Sequence, residues 1–290
     1  MSILLPQDLI TQILFSPLPI KSLVRFQCVS KSWFALISDP YFINLNLATS
    51  TERTLIAEVS PLNRPKNFFL VNFSNNELGK LVKIYSPFNA QENLNGSNSV
   101  IGCCNGLVCI RKYDYYNSEI LIWNPSIQKY KKLPFEPDYD QHKQLTAVRY
   151  NPLQLNLAFG YDSVNNDCKV LKIVFLELIK FLDKCDNWPR PPEEIMKPLK
   201  IMVYSLKSHS WRKVEDQWPY EDESFIRSGP AFSNGAFYWL VKSVSVSTTT
   251  LLTFDLTTEK FGVRKFPLEW YLNVTLEVLG GTLCVSICDY

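Results

Sequence analysis

The segment LLPQDLITQILFSPLPIKSLVRFQCVSKSWFALISDPYF, Leu4 to Phe42, is dense in leucine, isoleucine, valine and aromatics, yet prolines break it and charges punctuate it. Leu5, Leu9 and Ile13 recur every four positions, with Ile10 and Leu14 beside them, the spacing of a wide apolar helical stripe. Pro6 suits a first helical turn, and Asp8 is a favourable charge at that end. Ser16-Pro17-Leu18-Pro19 ends the helix, because neither proline donates a backbone hydrogen bond. A second helical pattern holds Leu23, Val24 and Phe26. A third holds Val29, Trp33, Phe34, Leu36 and Ile37, until Asp39-Pro40 stops it. About forty residues in three short helices cannot build an adequate private core, and apolar side chains here occupy more than one face. The surplus needs a cover, either the rest of the chain or another protein.

After residue 50 the pattern changes to short alternating runs separated by Asn, Gly, Asp and Pro. Leu107-Val108-Cys109-Ile110 follows Asn105-Gly106, and Ala236-Phe237-Tyr238-Trp239-Leu240 follows Asn234-Gly235. These read as strands joined by tight turns. Three stretches are also alike: ILIWNPSIQKYKKLP, IMVYSLKSHSWRKV and LLTFDLTTEKFGVRKFP. Each has an apolar strand ending in an aromatic (Trp123, Tyr204, Phe254), then a small polar residue (Asn124, Ser205, Asp255). A second aromatic follows seven positions after the first: Tyr130, Trp211, Phe261. Such a repeat describes a hairpin whose turn is bounded by two ring-bearing strands, with the rings packed between neighbouring units.

The 50 positions from Tyr204 to Phe254 suit a four-stranded propeller blade, and the 81 from Trp123 to Tyr204 leave room for an extra element. Asp183 to Pro198, rich in proline and charge, reads as the insertion. Gly280-Gly281 opens a further unit, but the chain ends at Tyr290 before a matching hairpin. Either a strand at Thr54 to Val59 closes the array, or the array is truncated. The expected fold is α+β: a small three-helix domain over residues 1–47, then an all-β, β-propeller-like domain over 48–290.

Composition narrows the function classes. With 46% hydrophobic and 20% charged residues, the 290-residue chain builds a sizeable core. A net charge of +2 gives no electrostatic drive toward nucleic acid, and Lys129-Lys131-Lys132 reads as a solvated strand end. No tract of about 18 uncharged apolar residues marks a membrane span. The N-terminus lacks the basic region and cleavage site of a secretory signal. Eight cysteines, with Cys103 and Cys104 adjacent and Cys284 and Cys288 on one strand-like run, suit reduced thiols in the cytoplasm or nucleus better than a disulfide framework.

No catalytic constellation stands out. His142 and His209 lie in polar turn contexts, and Cys103, Cys104 and Cys109 lack zinc spacing. Glu193-Glu194 and Glu221-Asp222-Glu223 sit in hydrophilic stretches where a tuned carboxyl is not expected. The reading is therefore of a protein without catalytic, cofactor or metal residues.

Leu5-Pro6-Gln7-Asp8-Leu9, Ile13-Leu14, Leu18-Pro19-Ile20-Lys21-Ser22-Leu23 and Arg25-Phe26-Gln27-Cys28-Val29-Ser30-Lys31-Ser32-Trp33 resemble an F-box. Cys104-Asn105-Gly106-Leu107-Val108, Trp123-Asn124-Pro125-Ser126, Phe159-Gly160-Tyr161-Asp162 and Val203-Tyr204-Ser205-Leu206-Lys207 resemble the kelch-like F-box-associated interaction domain of plants. Pro17 departs from the family, which often has a basic residue there. The associated domain also loses its last portion after Tyr290. The resemblance implies the substrate-recognition subunit of an SCF-type (Skp–cullin–F-box) ubiquitin ligase. Its direct partner would be a Skp-type adaptor, with cullin and a RING protein joined indirectly, and its target is unknown. Leu5, Pro6, Leu9, Ile13, Leu14, Leu18, Pro19, Leu23, Val24, Val29 and Trp33 would meet the adaptor, while Tyr139, Trp188, Arg190 and Trp218 are the expected target contacts. Two rival readings remain: an adaptor-binding decoy or scaffold without a target, and a propeller-like enzyme or lectin.

Overall fold

The computed structural model describes residues 18, 20–49, 53–59, 67–74, 77–84, 97–113, 118–135, 155–175, 198–220, 224–226, 229–243, 249–266, 274–279 and 281–287. The helix expected from Leu5 to Leu14 and most of the expected insertion lie outside these residues. Contacts divide the chain into two compact units, residues 1–100 with 105–132 and residues 101–104 with 133–290.

The first unit begins with short helices α1 (Ile20–Phe26), α2 (Lys31–Ile37) and α3 (Pro40–Thr49). Ser30 caps α2: its backbone is extended and its hydroxyl accepts the Trp33 N–H at 3.2 Å. Val29 lies in the turn before α2 and not inside the helix. Asp39-Pro40 does stop α2, but it also starts α3, a helix the apolar spacing did not announce. Asp39 Oδ1 accepts the N–H groups of Tyr41 at 2.8 Å and Phe42 at 3.3 Å, and Pro40 stands at a first helical position, where no donor is needed. Leu23, Ile37 and Phe42 form the centre of this helical group, with Leu18, Phe26, Trp33 and Leu36 around them. Phe26 and Trp33 meet edge to face, with ring centroids 5.4 Å apart.

All the strand pairs given a register are antiparallel. The strands β1 (Arg53–Val59), β2 (Asn67–Ser74) and β3 (Glu77–Ile84) form one sheet. A second sheet runs β4 (Ser97–Cys104), β5 (Leu107–Tyr113), β6 (Ser118–Asn124) and β7 (Lys129–Lys132). In the first unit, Phe68 packs with Val108, Ile110, Leu121 and Trp123, all buried.

The second unit holds β8 (Leu155–Asp162), β9 (Asp167–Phe175), β10 (Pro198–Ser205) and β11 (Ser210–Lys213) in the order β11-β10-β9-β8. The strands β12 (Ser224–Ile226), β14 (Ala236–Ser243), β15 (Thr249–Asp255) and β16 (Phe261–Lys265) form the next sheet, with β13 (Ala231–Ser233) also on β14. Its neighbours β17 (Val274–Leu279) and β18 (Thr282–Ile287) make a two-stranded sheet. The expected closing strand at Thr54 to Val59 exists as β1, but its partner is β2; among the described residues β17 pairs with β18 alone.

The three repeated stretches fold as the expected hairpins; the rings, expected between neighbouring units, stand opposite each other within each hairpin. Trp123 faces Tyr130, Tyr204 faces Trp211, and Phe254 faces Phe261 as direct cross-strand partners. Ring centroids are 5.2 Å apart in the second pair and 4.9 Å in the third. Each hairpin turns through four residues and ends in a left-handed residue: Gln128 at φ 55°, His209 at 56° and Glu259 at 56°. The small polar residue closes the turn. Asn124 Oδ1 accepts the Ser126 N–H at 3.0 Å, Ser205 Oγ accepts that of Ser208 at 3.0 Å, and Asp255 Oδ1 accepts that of Thr258 at 2.7 Å.

A fourth copy joins β8 to β9, with Asp162 as the turn residue and Asn166 at φ 50°. Cys168 holds the place of the second aromatic, so the pattern conceals this copy, which lies within the 81-position gap. The expected tight turns at Asn105-Gly106 and Asn234-Gly235 have positive φ at both residues, as two-residue hairpin turns require.

Side chains from β9, β10, β14 and β15 build the largest core, centred on Leu171, Val203, Phe237, Trp239 and Phe254. Charge is also buried here. The Lys169 ammonium has three donors and three acceptors: Asp162 Oδ2 at 2.8 Å, the Leu256 carbonyl at 2.6 Å and Glu259 Oε1 at 3.1 Å. Thr257 and Asn165 also donate to Asp162, and Arg212 reaches Glu259 from the solvent side. Burial pushes the Asp162 carboxyl up, but the hydrogen bonds from Lys169, Asn165 and Thr257 outweigh it and hold the group well below the usual carboxylate range.

Replacing Lys169 with Met removes the cation and leaves Asp162 buried without it. A loss of about 3–5 kcal/mol in urea unfolding is expected, and less when Asp162→Asn accompanies it. Because the folded-state value of Asp162 is depressed, its contribution is full above the unfolded value of about 4 and fades as pH falls below it. Urea midpoints taken from pH 7 down to 3 will therefore fall less steeply in Asp162→Asn than in the wild type.

Candidate functional site

The helical group has two apolar sides. Leu23 is only 5% exposed, whereas Val29 is 60% and Phe34 56% exposed. Ile20 and Val24, one turn apart on α1, are also exposed, as are Tyr41 and Ile43 on α3. The interior is filled by one set of side chains while another large set stays in water. An apolar surface of this kind marks an interaction site more often than a resting state. No hydrogen-bonding or ionic chemistry is needed to use it.

In the second unit, Ile101, Gly102, Cys103, Phe159, Pro230, Phe232, Phe237 and Val278 line a pocket of about 220 Å³. The backbone is close here: a Cβ on Gly160 would overlap the Phe232 ring, and one on Gly102 would lie 3.1 Å from the Phe159 carbonyl. The lining is mostly apolar and brings no acid–base pair together. Among the described residues no group of three or more His, Cys, Asp or Glu side chains is placed to hold a metal ion.

Of the residues expected to meet an adaptor, Leu5, Pro6, Leu9, Ile13, Leu14 and Pro19 lie outside the described residues. Val24 and Val29 face solvent. Leu18 and Trp33 are half-buried against the helical core, and Leu23 points into that core, where Ile37 and Phe42 cover it. Phe34 and Ile20 belong with the exposed group and were not singled out by the sequence; Ile20 lies four positions before Val24, which was the available signal.

Of the expected target contacts, Tyr139, Trp188 and Arg190 lie outside the described residues. Trp218 is a packing residue: its ring stands 5.7 Å from Tyr220 and 5.5 Å from Phe261, against the main core. His142 and the two acidic clusters also lie outside the described residues, while His209 occupies a left-handed turn position.

Blade-like antiparallel sheets after a small helical group define a β-propeller-like protein with an N-terminal helical domain. The family comparisons agree with this geometry. The model of the F-box associated beta propeller domain matches residues 60–285, and an F-box-like model matches residues 3–43. The chain belongs to the F-box proteins that carry an F-box-associated β-propeller domain. It is 27% identical over 306 residues to an F-box protein of Arabidopsis thaliana, covering 98% of this chain and 67% of that one. It is also 27% identical to an F-box/kelch-repeat protein of the same plant, over 99% of this chain and 72% of the relative. A putative F-box protein of Arabidopsis thaliana is 26% identical over 97% of this chain and 64% of its own length. The chain thus spans about two thirds of the length of the curated relatives it matches. Among solved structures, a GH43_1 enzyme from Xanthomonas citri aligns at 9% identity and a TM-score of 0.40, over 81% of this chain and 76% of that one. A likeness this distant carries no chemistry across. No helix among the described residues is long and apolar enough to cross a membrane.

The two sides of the helical group respond differently to substitution. Leu23→Ala removes a buried side chain and is expected to cost about 2–5 kcal/mol, while Val29→Asp changes stability by less than about 0.5 kcal/mol. Hydrogen exchange of the α1 and α2 amides measures both.

Proposed function

We propose that this chain is the substrate-recognition subunit of an SCF-type ubiquitin ligase, with residues 1–47 docking on a Skp-type adaptor and residues 48–290 receiving a target protein. One observation carries the reading: Val24, Val29 and Phe34 stay exposed while Leu23, Ile37 and Phe42 are buried in the small helical core. A foreign apolar groove is the natural cover for such a face, and helix-in-groove docking buries it without polar pairing. In this proposal the adaptor contacts also include Leu5, Pro6, Leu9, Ile13, Leu14, Leu18, Pro19 and Trp33, as the F-box resemblance implies. Leu23 contributes by holding the helices together.

No catalytic group is required of this subunit. Ligation is accelerated by keeping target lysines near the charged conjugating enzyme, which converts a bimolecular encounter into a local one. Cullin and a RING protein join through the adaptor. The target side is assigned to the β domain, with Tyr139, Trp188 and Arg190 as contacts and Trp218 offering only the part of its ring that its aromatic neighbours leave open. Its workplace is the cytoplasm or nucleus.

Co-purification with a Skp-type adaptor tests the proposal. Wild-type chain is expected to retain the adaptor, and Val24→Asp with Val29→Asp is expected to weaken retention at least tenfold with far-UV dichroism unchanged. Equal retention by both proteins, or none by the wild type, would refute adaptor docking. Wild-type binding without any protein stabilised by proteasome inhibition would favour the decoy reading over the receptor.

A further inference from the structure

The described cysteines form no disulfide, and two of their sulfurs meet. Cys104 ends β4 and Cys168 lies on β9, 64 positions away in sequence, and their sulfurs are 3.8 Å apart, both in the second unit. Each is half-buried, so a small solute reaches the pair while a bulky one is hindered. Adjacent strand residues point to opposite faces, which sends Cys103 away from the pair and into the lining of the 220 Å³ pocket. Cys109 is fully buried and packs as a small hydrophobe. The juxtaposition of Cys104 and Cys168 therefore singles out one pair among the described thiols.

We propose that Cys104 and Cys168 form an oxidative modification site that takes a hydroperoxide and closes a disulfide between β4 and β9. The Cys168 thiolate attacks the distal peroxide oxygen, the O–O bond breaks, and Cys168 becomes a sulfenic acid as the peroxide is reduced. Cys104 sulfur then displaces the sulfenic oxygen as water, forming the S–S bond. Overall two thiols and one hydrogen peroxide give one disulfide and two waters. The sulfurs must approach from 3.8 Å to about 2.0 Å, a shift within reach of side-chain rotation and small strand movement.

The surroundings suit this assignment. The hydrogen bond from Cys104 lowers the Cys168 thiol from its ordinary value, against burial and the nearby Asp167 carboxylate, which raise it. A thiol with more thiolate character is the one that reacts first with an oxidant. Disulfides in reducing compartments tend to be transient and sensing rather than structural, which fits a half-buried pair. Gly102 on β4 packs on the Phe159 backbone of β8, and β8 pairs with β9, so the bond would tie β4 to the hairpin whose other strand carries Phe159 of the pocket wall. Oxidation is thereby coupled to the shape of that wall.

Peptide mapping by mass spectrometry after brief hydrogen peroxide treatment of the intact chain tests this. Free thiols per chain, counted by alkylation after denaturation, should fall from eight to six, with a Cys104–Cys168 linkage that dithiothreitol reverses. The Cys103→Ser chain should keep the linkage, and Cys104→Ser should trap a dimedone adduct on Cys168. Because the mapping is done on wild type, misfolding of a serine variant does not decide the result. No linkage, a linkage through Cys103, or equally ready formation when the chain is oxidised in urea would overturn the proposal.

Discussion

The constraint on which the β architecture rests is register, and the hairpin turns set it. A strand side chain alternates from face to face, so a slip of one position would carry Trp123, Tyr204 or Phe254 out of the core. Each hairpin prevents the slip with two local devices. A left-handed residue at the end of the turn sends the chain back at a fixed offset, and a small polar side chain ties down the turn's N–H groups. The paired aromatics then stand opposite one another because no other pairing preserves the turn. Local geometry of a few residues thus decides which face of an eight-residue strand becomes core.

That logic explains what could be read from the sequence. An aromatic, a small polar residue and a second aromatic seven positions on are all visible in one line of text, and the structure makes each such pair a cross-strand partner. The β8–β9 hairpin uses the same turn but has Cys168 in the second ring position, so its signature was half erased. The α3 helix escaped for another reason. Tyr41, Phe42, Ile43, Leu45 and Leu47 are apolar on every side, so no stripe stands out, and Asp39-Pro40 is as good a stop as a start. The interior and exterior of the helical group were equally hard to separate. A helix of seven residues gives about two side chains to each face, too few for periodicity to distinguish Leu23, which is covered, from Val24, which is not. The Cys104–Cys168 contact leaves no local trace at all, since its members are 64 positions apart.

Lys169 shows how the blades of the second unit are matched to each other. It projects from the β8–β9 hairpin and is satisfied by its own turn residue, Asp162, and by Leu256 and Glu259 of the β15–β16 turn. Desolvating three charges is expensive, and an apolar substitute of equal volume would often be as stable. What the apolar substitute lacks is direction. An ammonium with all three donors engaged fits one placement of the two turns, whereas stacked hydrophobic faces tolerate small sliding. The glutamate that closes the site is itself the left-handed turn residue, so the turn that fixes register within one hairpin also fixes its neighbour.

Among the described residues, the helical group has no buried ion pair of this kind. Ser30 and Asp39 are engaged in capping (Ser30 on Trp33, Asp39 on Tyr41 and Phe42). One side-chain hydrogen bond, from Gln27 to Ser38 Oγ at 3.3 Å, ties the end of α1 to the end of α2, and no described ion pair joins the helices of the group. Its core is three buried side chains with four partly covered ones, a small cluster by the standard of an autonomous domain. Capping decides where each helix begins, but it does not decide how firmly the helices hold each other. That deficit and the exposed Val24, Val29 and Phe34 are two aspects of one arrangement: apolar residues that could have enlarged the interior are displayed instead. A partner that covers them adds the missing core, so binding and consolidation of the helices become the same event.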